Sequence, residues 1–234
     1  MSNQGMGSYY VDIVMCIDAT GSMAPIIDEV KNNAMSFHQG LSEAMEESGK
    51  YIGQLRVKVI VFRDYICDTD AMVESEFFVL PEQSADFRAF VGNIQALGGG
   101  DEPENALEAL ALAIKSDWTL EGQKRRHVVV MFSDASALPL GERADSARYP
   151  SDMPKSFAEL AEMWEGESQL YCGNYQLAAG RLVAFVPNVE PWTALPTWNR
   201  CWPMYSDAEG LQGTSMSTVY DVLVKSFGKH STNQ

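Results

Sequence analysis

The chain has 234 residues, 32 acidic side chains against 17 basic ones and a formal net charge of −15. That length fits one large α/β domain or two small ones, and 46% apolar with 21% charged residues is the make-up of a folded chain with a substantial core. The acid excess argues against a nucleic-acid-binding surface or an anionic membrane partner, both of which need a basic patch, and favours cationic ligands, metal ions or plain solubility.

Residues 1–8 have little to bury and read as a loose tail. YYVDIVMCID is a short run rich in Val, Ile and Tyr, the pattern of a buried strand ending at Asp18, with Cys16 a buried thiol inside it. After ATGS, the apolar positions Met23, Ile26, Ile27, Val30, Ala34, Phe37, Leu41 and Met45 recur at helical spacing, predicting one long helix stopped at Gly49. Leu55–Tyr65 is the next strand. Glu76–Leu80 follows too closely for a helical crossover, which predicts an antiparallel edge strand. Ala85–Leu97 reads as a helix broken by Gly98–Gly100, and Pro103 opens another. HVVVMFSD is a third parallel strand ending at Asp134.

A loop-rich stretch to about Gly180 carries a short amphipathic helix through Phe157, Leu160 and Trp164. RLVAFVPNV and CWPMY are strands, and Thr218–Phe227 is a terminal helix. Strands alternating with helices predict a mostly parallel sheet covered on both faces, in one domain over residues 9–228 with tails at 1–8 and 229–234.

Cys16, Cys67, Cys172 and Cys201 form no C-x-x-C pair and no dense disulfide framework. No basic residue precedes Lys31, so a signal peptide's charged start is missing, and no apolar run approaches the roughly 18 residues of a membrane span. A cytoplasmic location is the expectation. His38, His127 and His230 are scattered without metal-ligand spacing, and Lys124–Arg126 reads as a solvated turn.

In open parallel sheets, ligands bind at the carboxyl ends of the strands. Acids and hydroxyls stand at three such places: Asp18-Ala-Thr20-Gly-Ser22, the Gly98-Gly-Gly-Asp101-Glu-Pro-Glu104 loop, and Ser133-Asp134-Ala135. Each alone has a structural explanation: a strand-end turn, a helix cap, a capping box. Together they are best explained by a hard divalent cation, which prefers carboxylate and hydroxyl oxygens and relieves the repulsion between aspartates.

IVMCIDATGSM, LGGGDEPENAL and VVVMFSDA together resemble a von Willebrand factor A domain with its metal-ion-dependent adhesion site, of the stand-alone bacterial or intracellular type. The resemblance covers roughly residues 9–228. Asp18, Thr20 and Ser22 match the family's D-x-S/T-x-S, and Asp134 matches its later aspartate. Asp101 stands where many members have a threonine, so a third carboxylate near the ion should tighten cation binding and lower its pull on an incoming carboxylate.

The resemblance implies a Rossmann-like, doubly wound α/β fold: an open six-stranded sheet with one antiparallel edge strand and helices on both faces. It also implies a Mg²⁺, with Ca²⁺ or Mn²⁺ as substitutes, at Asp18, Thr20, Ser22, Asp101 and Asp134. A protein partner's Asp or Glu would complete the shell. On that reading the protein is a binding module and not an enzyme, with no nucleic-acid partner and no membrane insertion. Similar bacterial domains accompany kinases, phosphatases or stress-response machinery.

Two other classes compete. D-x-T-G-S after an apolar strand also occurs in haloacid-dehalogenase-like phosphoryl-transfer enzymes, where Asp18 would be the nucleophile and Asp134 would hold Mg²⁺. No strand-end lysine stands ready to neutralise the phosphate. The third class is an acidic scaffold with a vacant site.

Asp64 ends the second strand and is either an ion-pair residue or an outer-shell neighbour of the metal. Glu104 is a helix-start acid or a ligand. Trp192 and Trp198 are core residues or aromatic anchors for a partner beside the metal. The long stretch from Ala135 to Ala179 is expected to flank the metal, with its tip at Arg143–Asp152 choosing the partner.

Overall fold

A computed structural model describes residues 7–97, 103–206 and 210–228. Its strands are β1 (Tyr9–Asp18), β2 (Ile52–Phe62), β3 (Met72–Glu74), β4 (Phe78–Leu80), β5 (Lys124–Phe132), β6 (Gly180–Pro187) and β7 (Cys201–Ser206). The helices are α1 (Ala24–Asn33), α2 (Phe37–Glu47), α3 (Ser84–Gly92), α4 (Ala106–Ile114), α5 (Phe157–Glu165) and α6 (Met216–Ser226). The sheet order is β3-β2-β1-β5-β6-β7, with β4 also pairing β2. Strands β2, β1, β5, β6 and β7 run parallel, while β3 and β4 run antiparallel to β2.

The expected sheet is therefore present, with one refinement. Its antiparallel edge is broken: β3 pairs the end of β2 (Ile60–Phe62) and β4 its earlier half (Leu55–Val57). Between them Ser75 turns back into the sheet, its Oγ accepting from the Val59 amide at 2.9 Å and donating to the Glu76 carbonyl. Side-chain bonding of this kind competes with a continuous ladder.

β1 is central, and all its residues after Tyr10 are buried. Alternate side chains face opposite cores. Ile13, Met15 and Ile17 meet α1, α2, α3 and α6 through Ile27, Leu41, Phe87 and Leu223. Val14 and Cys16 meet α4 and α5 through Leu110, Ile114 and Trp164. The chain winds from β1 outward through β2 and returns across β1 to β5. The point where strand order reverses therefore lies at the carboxyl ends of β1 and β5, where open α/β sheets bind ligands.

Two helices differ from expectation. The single helix predicted from Met23 to Met45 is α1 and α2, separated at 34–36. There Asn33 bonds back to the Glu29 carbonyl and carboxylate, and Ser36 Oγ donates to the Asn33 carbonyl, taking groups a continuous helix would use. α3 stops at Gly92 rather than Leu97, because the following segment is held by tertiary bonds: Arg63 takes the Gln95 carbonyl, and the Leu97 amide donates to the Ala19 carbonyl. Lys124–Arg126 is the start of β5 and not a turn. No helix among the described residues is long and apolar enough to cross a membrane.

At the opposite end of β1, Asp12 is fully buried with Arg56 and His127 as its cross-strand neighbours. Arg56 grips its carboxylate through Nε (2.8 Å) and Nη2 (2.6 Å), and the Thr119 amide donates to Oδ2 at 2.6 Å. A buried acid satisfied this way costs most when one partner is lost, since the other charge stays stranded. Arg56→Ala should therefore lower unfolding stability by about 3–5 kcal/mol. A loss below about 1 kcal/mol in urea denaturation would mean that water replaces the guanidinium.

Candidate functional site

Asp18 ends β1 with its side chain fully buried. Its Oδ1 accepts from the Thr20 amide (3.0 Å) and from Thr20 Oγ1 (2.8 Å), and its Oδ2 accepts from Ser133 Oγ (2.9 Å). Thr20 Oγ1 lies 3.4 Å from Ser22 Oγ. The first contacts are local, because a short turn follows the strand. The Ser133 contact exists because β5 lies beside β1 in register, Ile17 opposite Phe132. Two strand ends are thus tied through one carboxylate; both hydroxyls give their protons to Asp18, and since Ser133 Oγ also accepts from the Ala135 amide at 3.3 Å, it is the Thr20 oxygen that keeps lone pairs for something else.

Asp134 follows Ser133. Its Oδ1 is buried and has no hydrogen-bond partner among the described residues. Such an acceptor has lost water without replacing it. Asp134 and Ser22 line a common cavity of about 80 Å³ with Met23, Pro25, Ile26, Leu211 and Gln212. Next to the lining residue Leu211, Gly210 has φ +69°, a left-handed conformation that glycine takes without strain, and a β-carbon there would stand 3.9 Å from Asp134 Cβ. Behind the site, the buried Trp192 indole donates to the Ala135 carbonyl at 2.9 Å, fixing the backbone next to Asp134.

Arg63 braces the same rim. Its Nε donates to the Ala19 carbonyl (3.2 Å), Nη1 to Asp70 (3.0 Å) and Nη2 to Gln95 (2.6 Å), joining the loop after β1 to those after β2 and α3. Sequence reasoning counted Ser133 among the rim hydroxyls without its bond to Asp18 and gave Arg63 no part in the rim, although both stand at strand ends next to the aspartates it did select.

The other expected residues fall out as follows. Asp101 lies outside the described residues. Asp64 is buried and bonded to Arg143, at 2.8 Å to Nε and 2.7 Å to Nη2, and its Oδ1 accepts from the Ile66 amide. Burial raises its pKa, but Arg143 and the amide outweigh that and leave it below the ordinary carboxylate range. It is an ion-pair residue.

Glu104 is buried, and its carbonyl accepts from the Leu138 amide, pinning the start of α4 to the loop after β5. Trp198 is 6% exposed and packs on Phe157, and Trp192 is wholly buried, so neither indole presents a face to a partner. The tip at Arg143–Asp152 is built in: Arg143 neutralises Asp64, and Tyr149 Oη donates to the buried Glu108 carboxylate at 2.8 Å. Removing the tip would strand two buried acids, so it serves the fold.

Among the described residues, no three Asp, Glu, His or Cys side chains converge as a metal cluster. What converges is two carboxylates and three hydroxyls, an all-oxygen set of the kind hard divalent cations take. Asp18 is poorly suited to nucleophilic attack, since it is buried and both its oxygens are engaged.

Burial pushes the Asp18 pKa up from 3.8 to about 6; Thr20 and Ser133 pull it down, and Asp134 adds to the rise. A carboxylate raised on folding costs nothing below its unfolded pKa, and its penalty grows as pH climbs through the folded value. At about 1.4 kcal/mol per unit, the full penalty is about 3 kcal/mol at neutral pH. In metal-free protein, Asp18→Asn should therefore unfold at higher urea than wild type at pH 7.5, and the gap should close by pH 4. A less stable variant at pH 7.5 would overturn this account of the site.

The profile of the von Willebrand factor A domain family matches residues 12–139, more than half of the chain, taking in Asp18, Thr20, Ser22 and Asp134. The alpha-protein kinase vwkA of Dictyostelium discoideum is 24% identical over 144 residues, 62% of this chain. This chain covers 21% of the kinase's length. Two crystal structures of the pilus adhesin SpaC from Lactobacillus rhamnosus GG share the fold. One, in an open conformation, has a TM-score of 0.52 and 12% identity over 96% of this chain and 30% of the adhesin. The other has a TM-score of 0.55 and 11% identity over 96% and 31%. Sheet order, the paired strand ends and the profile match agree: the chain belongs to the von Willebrand factor A domain family, a fold of adhesion and protein interaction.

Proposed function

We propose that this domain is a metal-dependent interaction module, binding one divalent cation at the carboxyl ends of β1 and β5 and, through it, an acidic side chain of a protein partner. The observation that carries this reading is the division of labour at Asp18: its oxygens take the protons of Thr20 and Ser133, while Asp134 Oδ1, beside them, has no hydrogen-bond partner among the described residues. Thr20, Ser22 and Asp134 would hold the ion, with Asp18 orienting the Thr20 hydroxyl. Asp101 would add a carboxylate from the segment that enters α4.

The bound ion supplies an electrophilic centre for an incoming carboxylate. The chain's own part is to hold hydroxyls and acids in place, to keep Asp18 dry, and to let Ser22, which is exposed, meet the partner. Mg²⁺ is the first choice, with Ca²⁺ and Mn²⁺ able to enter an all-oxygen site. We place the protein in the cytoplasm of a bacterium, in a kinase-, phosphatase- or stress-linked system. The likeness to a protein named as an alpha-protein kinase supports the kinase link.

The test is a Mg²⁺ titration of EDTA-stripped protein followed by thermal unfolding. Wild type should gain about 2.7 kcal/mol at a hundredfold excess over Kd, a rise of about 5–11 °C, and Asp134→Ala should gain nothing. Asp101→Ala should need more Mg²⁺ for the same rise. A wild type that responds no more than Asp134→Ala would refute the reading.

A further inference from the structure

The end of the molecule away from the proposed metal site gathers positive charge. Lys50 Nζ donates to the Val224 carbonyl (3.0 Å), Arg181 Nε to Ser226 (2.6 Å) and Arg126 Nη2 to Phe227 (2.8 Å), so three cations meet the last turn of α6. Arg200 joins them from the start of β7. Its Nη1 donates to the Ala178 carbonyl at 3.1 Å, the oxygen that Arg181 Nη1 also approaches at 3.5 Å. Two guanidinium groups thus share one neutral acceptor.

In a chain with 32 acids, none of these four cations forms an ion pair among the described residues. The segment that follows them, 229–234, reads Lys-His-Ser-Thr-Asn-Gln and brings no acidic side chain. Carbonyls at a helix end account for part of the arrangement, since cations are favoured there. They do not account for Arg200, which caps a different turn, nor for the spare donors. Arg126 Nε is buried without a partner, and Arg181 Nη2 and the Nε and Nη2 of Arg200 make no hydrogen bond within the described residues. Arg200 also holds φ +56°, which a side chain larger than glycine's rarely adopts. Burial, then Arg126 and Arg200, push the Arg181 guanidinium down to about 10, and burial and Arg126 lower Lys50.

We propose that Arg126, Arg181 and Arg200, with Lys50 beside them, form a binding site for a phosphate-sized oxyanion at the amino-terminal rim of the sheet. Guanidinium forks match the oxygens of phosphate, and one compact dianion would relieve the repulsion among all four groups. An extended polyanion is disfavoured, because the net charge of −15 repels it once it reaches past the cluster. The ligand is therefore a small phosphate or a single phosphoryl group.

The experiment is a titration of the full chain in EDTA with inorganic phosphate and pyrophosphate, at ionic strength held constant with chloride and read by thermal shift and calorimetry. Acetate serves as a second control anion. A saturable rise with phosphate or pyrophosphate, weakened about tenfold or more in Arg200→Gln and Lys50→Gln, is the expected result. Both side chains are partly exposed, so these variants should fold, and unchanged circular dichroism verifies it. A greater response to pyrophosphate marks a diphosphate ligand; equal responses mark a single phosphate. No saturable response beyond chloride, an equal response to acetate, or variants that bind as wild type would overturn the proposal. Asp18→Ala should leave this response intact, which keeps the site separate from the metal reading.

Discussion

The rim of this protein is organised around one buried carboxylate. Asp18 stands at the end of the central strand, where water cannot reach it, and it is kept there by hydroxyls from its own turn and from the neighbouring strand end. An acid removed from water must be satisfied by hydrogen bonds or by a positive charge. Here the hydrogen bonds are present but do not undo the cost of burial, as the raised pKa records. The neighbouring Asp134 adds to that cost, and Arg63, the nearby buried cation, is turned to backbone carbonyls. Such a rim is under electrostatic tension that a bound cation would release.

Around that centre the structure separates rigid from variable parts. β1, β2, β5 and β6 give a sheet buried on both faces, and Arg63, Trp192 and Gly210 set the backbone of the loops that leave it. The long connection after β5 is fastened by the Asp64–Arg143 pair and the Tyr149–Glu108 bond. Both bonds satisfy buried acids, one with a charge and one with a hydroxyl.

Much of this could be read from residues alone. Apolar runs ending in Asp18 and Asp134 placed both acids at strand ends, and hydrophobic periodicity located α3, α4, α5 and α6 while merging α1 and α2 into one helix. Failures came where tertiary bonds overrode local pattern. Ile94 and Leu97 continue a helical spacing, but Arg63 and Ala19 claim the backbone there for the rim. Trp192 and Trp198 have the composition of an interface and the burial of a core, and composition cannot tell the two apart. Ser133 and Arg63 were visible at strand ends, but their roles were not, because those depend on which strand lies beside which. The clustering of Arg126, Arg181 and Arg200 was hidden for the same reason, since it arises only when β5, β6 and β7 align.

The bond from Ser133 to Asp18 spans 115 positions of chain. During synthesis the first strand, its turn and β2 leave the ribosome well before β5 exists. In that interval Asp18 can find Thr20 but not Ser133, and one long edge of β1 is unpaired, a surface prone to joining strands of other chains. The same residues that finish the rim thus also seal the sheet. Correct assembly of the central edge and readiness of the site are one event, which waits for β5, and a fragment stopping before β5 would possess neither.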